Sequence, residues 1–89
     1  MSKLEPEAID AALETLGDWS RSGDALQRTF GFDGFLEAMA FVSRVASMAE
    51  ERQHHPDILI RYNKVTLTLS THDAGGVTSK DLEMARALE

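Results

Sequence analysis

The chain has 89 residues and a mass of 9.8 kDa, which is enough for one hydrophobic core, so residues 1–89 are expected to form a single domain. Fifteen acidic residues against nine basic ones give a net charge of −6, which opposes direct binding to nucleic acid. Because the chain has no cysteine, disulfides, thiolate metal sites and cysteine nucleophiles are excluded.

The first elements predicted along the chain are a helix and a hairpin. Behind Pro6, which a first helical turn tolerates, apolar residues recur at three- and four-residue steps and predict a helix over residues 5–16. Polar and apolar residues then alternate beside the turn signal Ser22-Gly23-Asp24. This pattern predicts two antiparallel strands over residues 19–21 and 25–30.

A long central helix is predicted next. Its apolar stripe begins at Phe35 and should continue to about Arg52, and the side-chain oxygen of Asp33 is placed to cap it. A second apolar flank on this helix is broad for a small monomer. It suits two alternatives equally: one wide core face, or a helix that covers the sheet on one side and a partner subunit on the other.

The remaining elements are two strands and a helix. Pro56 cannot continue the central helix, and the segment from Asp57 to Arg61 is predicted to be a strand. Strict alternation over residues 65–70 gives the strongest strand signal of the chain. After a glycine turn, Thr78-Ser79-Lys80-Asp81 has the spacing of a capping box and predicts a final helix.

The predicted order is therefore helix, two strands, helix, two strands, helix. Strand pairs joined by short turns favour an antiparallel sheet, and a sheet with one apolar side gathers its helices there. The expected fold class is α+β, with a four-stranded antiparallel sheet that carries three helices on one face. No run is typical of a signal peptide or a membrane span, so a cytoplasmic protein is expected, and so small a chain without cysteine suggests self-association.

All three histidines lie close together in the sequence. The unperturbed pKa of histidine, about 6.5, lets it donate or accept a proton near neutral pH, so His54, His55 and His72 form a candidate acid–base site. If the central helix continues to His54, Glu50 lies four residues earlier on the same face and can orient its imidazole. Antiparallel pairing of the strands would bring His72 towards the same helix end.

Each of these features also has a purely structural interpretation. Glu50 and His54 can form an ordinary surface pair worth a few tenths of a kcal/mol. Three imidazoles also suit zinc, but the neighbouring rings of His54 and His55 seldom point to one ion, so no metal is expected. Asp81 is assigned to the capping box in preference to the site. Motifs for a nucleophile or a phosphate-binding loop are absent, which leaves proton transfer without a cofactor.

Three segments together resemble the pterin-4a-carbinolamine dehydratase family: Glu50-x-x-x-His54-His55-Pro56, Tyr62-Asn63-Lys64-Val65 and Ser70-Thr71-His72-Asp73. The Gly75-Gly76 turn and Asp81 also fit, and the similarity extends over nearly the whole chain. The resemblance implies the same α+β fold, assembled as a homodimer through the sheet and often as a homotetramer through helices. Members of this family dehydrate 4a-hydroxytetrahydropterin to quinonoid dihydropterin in tetrahydrobiopterin recycling, without a cofactor.

The resemblance also implies roles for residues of this sequence. His54 and His72 would be the proton donor and acceptor around the C4a hydroxyl and the ring nitrogen, in an order that stays open. His55 would contact the substrate, and Glu50 would orient the histidines. The other expected substrate-binding residues are Pro56, Ser70, Thr71 and Asp73.

Two positions depart from many relatives. Gln53 stands where an aspartate is common, and Ile58 stands where a tryptophan is common, which weakens any stacking contact with the flat pterin.

Two other functions stay open. Relatives in animals act as dimerisation partners of a transcription factor, and the broad central helix suits such a protein-binding module. The fold also suits another pterin, such as one of molybdenum cofactor metabolism.

Overall fold

The structure, a computed structural model, describes residues 2–88. Its elements in chain order are α1 (Pro6–Leu13), β1 (Ser20–Ser22), β2 (Ala25–Gly31), α2 (Phe35–Arg52), β3 (Asp57–Arg61), β4 (Lys64–Leu69) and α3 (Ser79–Ala87), with a short 3-10 turn at His72–Ala74 before α3. The predicted order of elements and the α+β class are therefore confirmed, and each strand lies within about one residue of its predicted position.

The strands lie in the order β1-β2-β4-β3, and every neighbouring pair is antiparallel. The alternation of the central strand β4 places Val65, Leu67 and Leu69 on one face, where all three are fully buried. Leu26 of β2 lies opposite Leu69 and shares this face. The polar residues that alternate with them form the opposite, open face of the sheet.

All three helices pack on the buried face of the sheet. The buried residues that they contribute to the core include Ile9 from α1, Phe41 and Val45 from α2, and Leu82 and Met84 from α3. Burying a side chain of this size stabilises the fold by roughly 1.5–3 kcal/mol. Because the sheet has a single apolar side, helices on one face are sufficient to cover it.

Helix α1 is shorter than predicted. It ends at Leu13, because the chain tightens there and Leu16 donates its backbone N–H to the Leu13 carbonyl, three residues back, at 3.1 Å. Gly17 then adopts a φ of 60°, which turns the chain towards β1. Leu16 is nevertheless buried. The apolar spacing over residues 5–16 therefore identified Leu16 correctly as a buried position, although this residue lies after the end of the helix.

The bounds of α2 agree with the prediction, but the predicted cap is wrong. The N-cap residue is Gly34, and it makes no side-chain capping hydrogen bond. Asp33 lies one residue too early, since the capping side chain has to come from the residue directly before the first helical turn.

The carboxyl end of α2 is closed by a residue in the left-handed conformation. Gln53 adopts φ 51° and ψ 43°, and the backbone N–H of His54 bonds the Ala49 carbonyl at 3.0 Å. The Gln53 side chain also donates to the Glu50 carbonyl at 2.8 Å, which satisfies a second free carbonyl of the last turn. The chain therefore leaves the helix before His54.

Helix α3 begins with the predicted capping box. The Thr78 hydroxyl accepts the backbone N–H of Lys80 at 3.3 Å, and the Asp81 carboxylate accepts the backbone N–H of Thr78 at 2.9 Å. Both capping residues are fully buried. Across residues 2–88, no helix is long and apolar enough to cross a membrane.

Candidate functional site

A surface hollow of about 230 Å³ lies where the end of α2 meets the segment that follows β4. Its lining residues are Gln53, His54, His55, Ser70, Thr71, His72, Asp73 and Lys80. The turn after α2 supplies two of the histidines, and the 3-10 turn supplies the third. The fold therefore brings all three imidazoles of the chain to one hollow.

His54 is held by a buried carboxylate. Its Nε2 lies 2.5 Å from the Asp81 Oδ1, and the two residues are 8% and 0% exposed. The other carboxylate oxygen accepts the hydroxyl of Thr71 at 2.9 Å and the backbone N–H of Thr78 at 2.9 Å. Because three donors surround Asp81, the carboxylate is fixed in position, and so is the ring that it bonds.

This contact determines which nitrogen of His54 is available for chemistry. A carboxylate accepts, so Nε2 carries the hydrogen of this bond. Nδ1 is then the nitrogen that can take up or release a second proton. The predicted role of Asp81 in the capping box of α3 is confirmed, and the same carboxylate also bonds and positions His54.

Glu50 pairs with His55. Glu50 Oε1 accepts from the Nε2 of His55 at 2.6 Å, and both side chains are more than half exposed. The predicted pairing of Glu50 with His54 is wrong, because the left-handed turn at Gln53 takes His54 off the helix face that carries Glu50. An exposed pair of this kind contributes only about 0–1 kcal/mol to stability.

His72 is exposed and begins the 3-10 turn. A short closed loop holds this turn, since the backbone N–H of Thr71 bonds the Gly76 carbonyl at 2.9 Å. Gly75 closes the turn with a φ of 75°, a conformation that favours glycine. The His72 imidazole forms no side-chain hydrogen bond to any other part of residues 2–88, so it is available to a ligand.

The other predicted site residues divide into two groups. Ser70, Thr71 and Asp73 line the hollow, whereas Pro56 and Glu50 are absent from its lining. The Ser70 hydroxyl donates to the Asp24 carbonyl at 3.0 Å, which ties the site to the hairpin between β1 and β2. The hydroxyls of Ser70 and Thr71 therefore already have partners within the protein.

A second hollow of about 190 Å³ adjoins the first. Arg52, His54, Lys80 and Glu83 line it, so His54 and Lys80 belong to both hollows. Sequence reasoning did not assign Arg52 or Lys80 to the site. Among residues 2–88, no group of three or more histidine and carboxylate side chains is arranged to hold a metal ion.

Comparison with known families gives a full-length match. A model of the family described as pterin 4 alpha carbinolamine dehydratase matches residues 2–89. A curated relative from Gloeobacter violaceus, provisionally named pterin-4-alpha-carbinolamine dehydratase 2, is 58% identical over 92 residues, covering 99% of this chain and all of the relative. One from Thermomicrobium roseum, with the same provisional enzyme name, is 54% identical over 88 residues, covering 99% of this chain and 95% of the relative.

Two solved structures have a similar backbone. The transcriptional coactivator/pterin dehydratase from Brucella melitensis matches with a TM-score of 0.93 at 36% identity, over 98% of this chain and 95% of that chain. A pterin dehydratase-like protein identified as a RuBisCO assembly factor in the alpha-carboxysome matches with a TM-score of 0.65 at 21% identity, over 79% of this chain and 81% of that chain. At the lower identity, the likeness shows the fold alone.

Proposed function

Because the chain belongs to the pterin 4 alpha carbinolamine dehydratase family, we propose that it removes water from a 4a-hydroxytetrahydropterin by histidine acid–base catalysis. The product is a quinonoid dihydropterin. The observation that carries this proposal is the convergence of His54, His55 and His72 on one hollow, with His54 held by a buried carboxylate. The family inferred from the sequence segments is confirmed, and the reaction is the proposal.

The reaction requires one proton to be given and one to be taken. A protonated imidazole donates to the C4a hydroxyl, the C4a–O bond breaks, and the electron pair leaves with water. A neutral imidazole takes the proton from N5, and the electrons of the N5–H bond form the C4a=N5 double bond. General acid–base help of this kind typically contributes about 10²–10⁴-fold, or roughly 3–5 kcal/mol of barrier.

We assign the two proton transfers to His54 and His72. His54 is fixed by Asp81, so its Nδ1 is the atom that exchanges a proton with the substrate. His72 has no side-chain partner within residues 2–88 and is exposed, so it can bond the substrate and exchange protons with water. One ring acts as the acid and the other as the base.

His55 and Glu50 form the outer side of the proposed site. The bond of 2.6 Å between them orients the exposed ring of His55. We infer that His55 contacts the pterin and that Glu50 acts through His55, since Glu50 does not line the hollow. Glu50 is therefore a positioning residue in this proposal.

A dehydration assay tests the proposal. The protein is expected to accelerate the loss of water from a 4a-hydroxytetrahydropterin generated in the assay, and the double variant His54→Ala with His72→Ala is expected to lose about 10²–10⁴-fold in rate. The variant Thr68→Ala, on the open face of the sheet, serves as the control and should retain the rate. Equal rates for the wild type and the double histidine variant would rule out this function.

A second candidate function is the binding of a partner protein, as a dimerisation cofactor of a transcription regulator. Two large apolar side chains in the first turn of α2 support it, since Leu36 is 78% exposed and Phe35 is 47% exposed. The Brucella melitensis match, whose name joins a coactivator to a pterin dehydratase, also favours it. A pull-down should retain a regulator with the wild type and lose it with Leu36→Glu; equal capture by both proteins contradicts binding through this turn.

The assembly state and the metabolic role stay predictions. β3 is an edge strand of the sheet, and its three apolar residues Ile58, Leu59 and Ile60 are each at least 36% exposed. An exposed apolar edge supports pairing with a second copy of the chain, and hence a homodimer or a homotetramer. The role in tetrahydrobiopterin recycling rests on the family alone.

A further inference from the structure

We propose that the second hollow, lined by Arg52, His54, Lys80 and Glu83, binds an anionic group on the side chain of the pterin substrate. The group is a phosphate or a carboxylate, and Arg52 and Lys80 are its ligands. This inference rests on the proposed dehydration and specifies the substrate class for the same site.

The two hollows form one continuous binding region in the proposal. They share His54 and Lys80, and their volumes are about 230 and 190 Å³. Each alone is smaller than the roughly 300 Å³ at the lower end of pockets for small organic ligands. If the pterin ring lies against the histidines in the first hollow, its side chain can therefore extend beyond Lys80 into the second hollow.

The charges of the second hollow favour an anion. Its lining contains two cations, Arg52 and Lys80, and one carboxylate, Glu83, in a protein whose net charge is −6. None of these three side chains forms an ion pair with another part of residues 2–88. Glu83 is exposed and Lys80 is half-buried, so water screens the carboxylate more than the ammonium group.

The position of Lys80 is unfavourable for the helix itself. Lys80 lies in the first turn of α3, where the helix dipole destabilises a cation. Arg52 lies in the last turn of α2, where the dipole favours a cation, so its position has an explanation in the fold. A bound anion would compensate the charge of Lys80 and interact favourably with the amino end of α3.

The backbone at the amino end of α3 has few N–H groups left for this recognition. The N–H groups of Thr78, Lys80 and Asp81 already have acceptors within the capping box. The side chains of Arg52 and Lys80 therefore provide most of the hydrogen bonds to the anion. With a substrate whose side chain is uncharged, the single carboxylate of Glu83 would face both cations.

Binding of three dihydropterins tests the proposal by fluorescence titration. Their side chains carry a phosphate ester, a carboxylate or an uncharged diol. The wild type should bind the anionic compounds on the order of tenfold more tightly than the diol, because charge-assisted bonds are stronger than neutral ones. Tighter binding of the phosphate ester than of the carboxylate indicates a phosphorylated pterin, and the reverse order indicates a carboxylated one.

The double variant Arg52→Gln with Lys80→Gln should bind all three compounds with the affinity of the wild type for the diol. The matched control Lys64→Gln with Arg86→Gln changes the net charge equally at exposed positions outside both hollows, and it should keep the preference for anions. The variant Arg52→Lys retains the positive charge and should keep most of the preference for anionic compounds. Circular dichroism of each variant confirms that it is folded.

Two results would overturn the inference: equal affinities of the wild type for the anionic and uncharged compounds, or equal loss of the preference in the two double variants. An assay for dehydration of the 4a-hydroxy forms of the three compounds distinguishes failure of the anion site from failure of the proposed reaction. If the uncharged carbinolamine is dehydrated but no preference exists, only the anion site is wrong. If no carbinolamine is dehydrated while the preference persists, the anion site stands and the proposed reaction is wrong.

Discussion

Replacing His54 with alanine is expected to lower kcat for dehydration by about 10²–10⁴-fold. The substitution removes the one imidazole whose orientation is fixed by a buried carboxylate, and with it one of the two proton transfers. Steady-state kinetics on a 4a-hydroxytetrahydropterin measure the effect. Free imidazole added to the assay should restore part of the lost rate, since it can enter the space left by the side chain and transfer the proton.

His55→Ala is the matched comparison. Its ring is exposed and bonds only Glu50, so its loss should raise KM more than it lowers kcat. A His54→Ala variant that keeps the wild-type kcat contradicts the assignment of a proton transfer to this residue. If kcat falls equally in His55→Ala and His54→Ala, the buried position of His54 gives it no larger role in proton transfer than His55 has.

Asp81→Ala is expected to lower the free energy of unfolding by about 3–5 kcal/mol. The change removes half of the capping box of α3 and takes the carboxylate acceptor away from His54, Thr71 and Thr78, which are buried or partly buried. Since small domains are stable by only about 5–15 kcal/mol, a large part of the stability would be lost. Urea unfolding followed by circular dichroism measures it.

The variant Asp81→Asn separates the contribution of this residue to stability from its effect on His54. Asparagine keeps the size and one acceptor oxygen, so the loss of stability should be smaller than with alanine. Its amide nitrogen is a donor, however, and can stand opposite Nε2 of His54, where the carboxylate accepted, so the His54 ring should lose its fixed tautomer. We expect kcat to fall in both variants; an Asp81→Asn protein with wild-type kcat would show that the carboxylate serves the fold alone.

The fold could be predicted largely because its strongest signals are local. The alternation of Val65, Leu67 and Leu69 requires a strand with one buried face, and the Thr78–Asp81 spacing defines a helix start. Pro56 places the junction between helix and strand. The length of α1 could not be predicted, because Leu16 is buried in a turn with the same spacing that a helix would give.

The pairing within the site could be predicted only in part. The three histidines converge because one helix end and one strand end meet, which follows from the order of the elements. The hydrogen-bond partners of these histidines depend on the left-handed conformation of Gln53, which turns the chain off the helix. That conformation usually occurs at glycine or asparagine, so a glutamine does not predict it. The bond between His54 and Asp81 spans 27 positions, and no local pattern reports such a contact.

The shared use of Asp81 by the last helix and by His54 also sets an order for biosynthesis. A ribosome releases the chain from its amino end, so His54 emerges well before Asp81, which belongs to the final helix. A nascent or truncated chain that stops before Thr78 contains every histidine but has no carboxylate to hold the ring of His54. The contact that holds the ring of His54 can therefore form only after the segment that contains Asp81 has been synthesised.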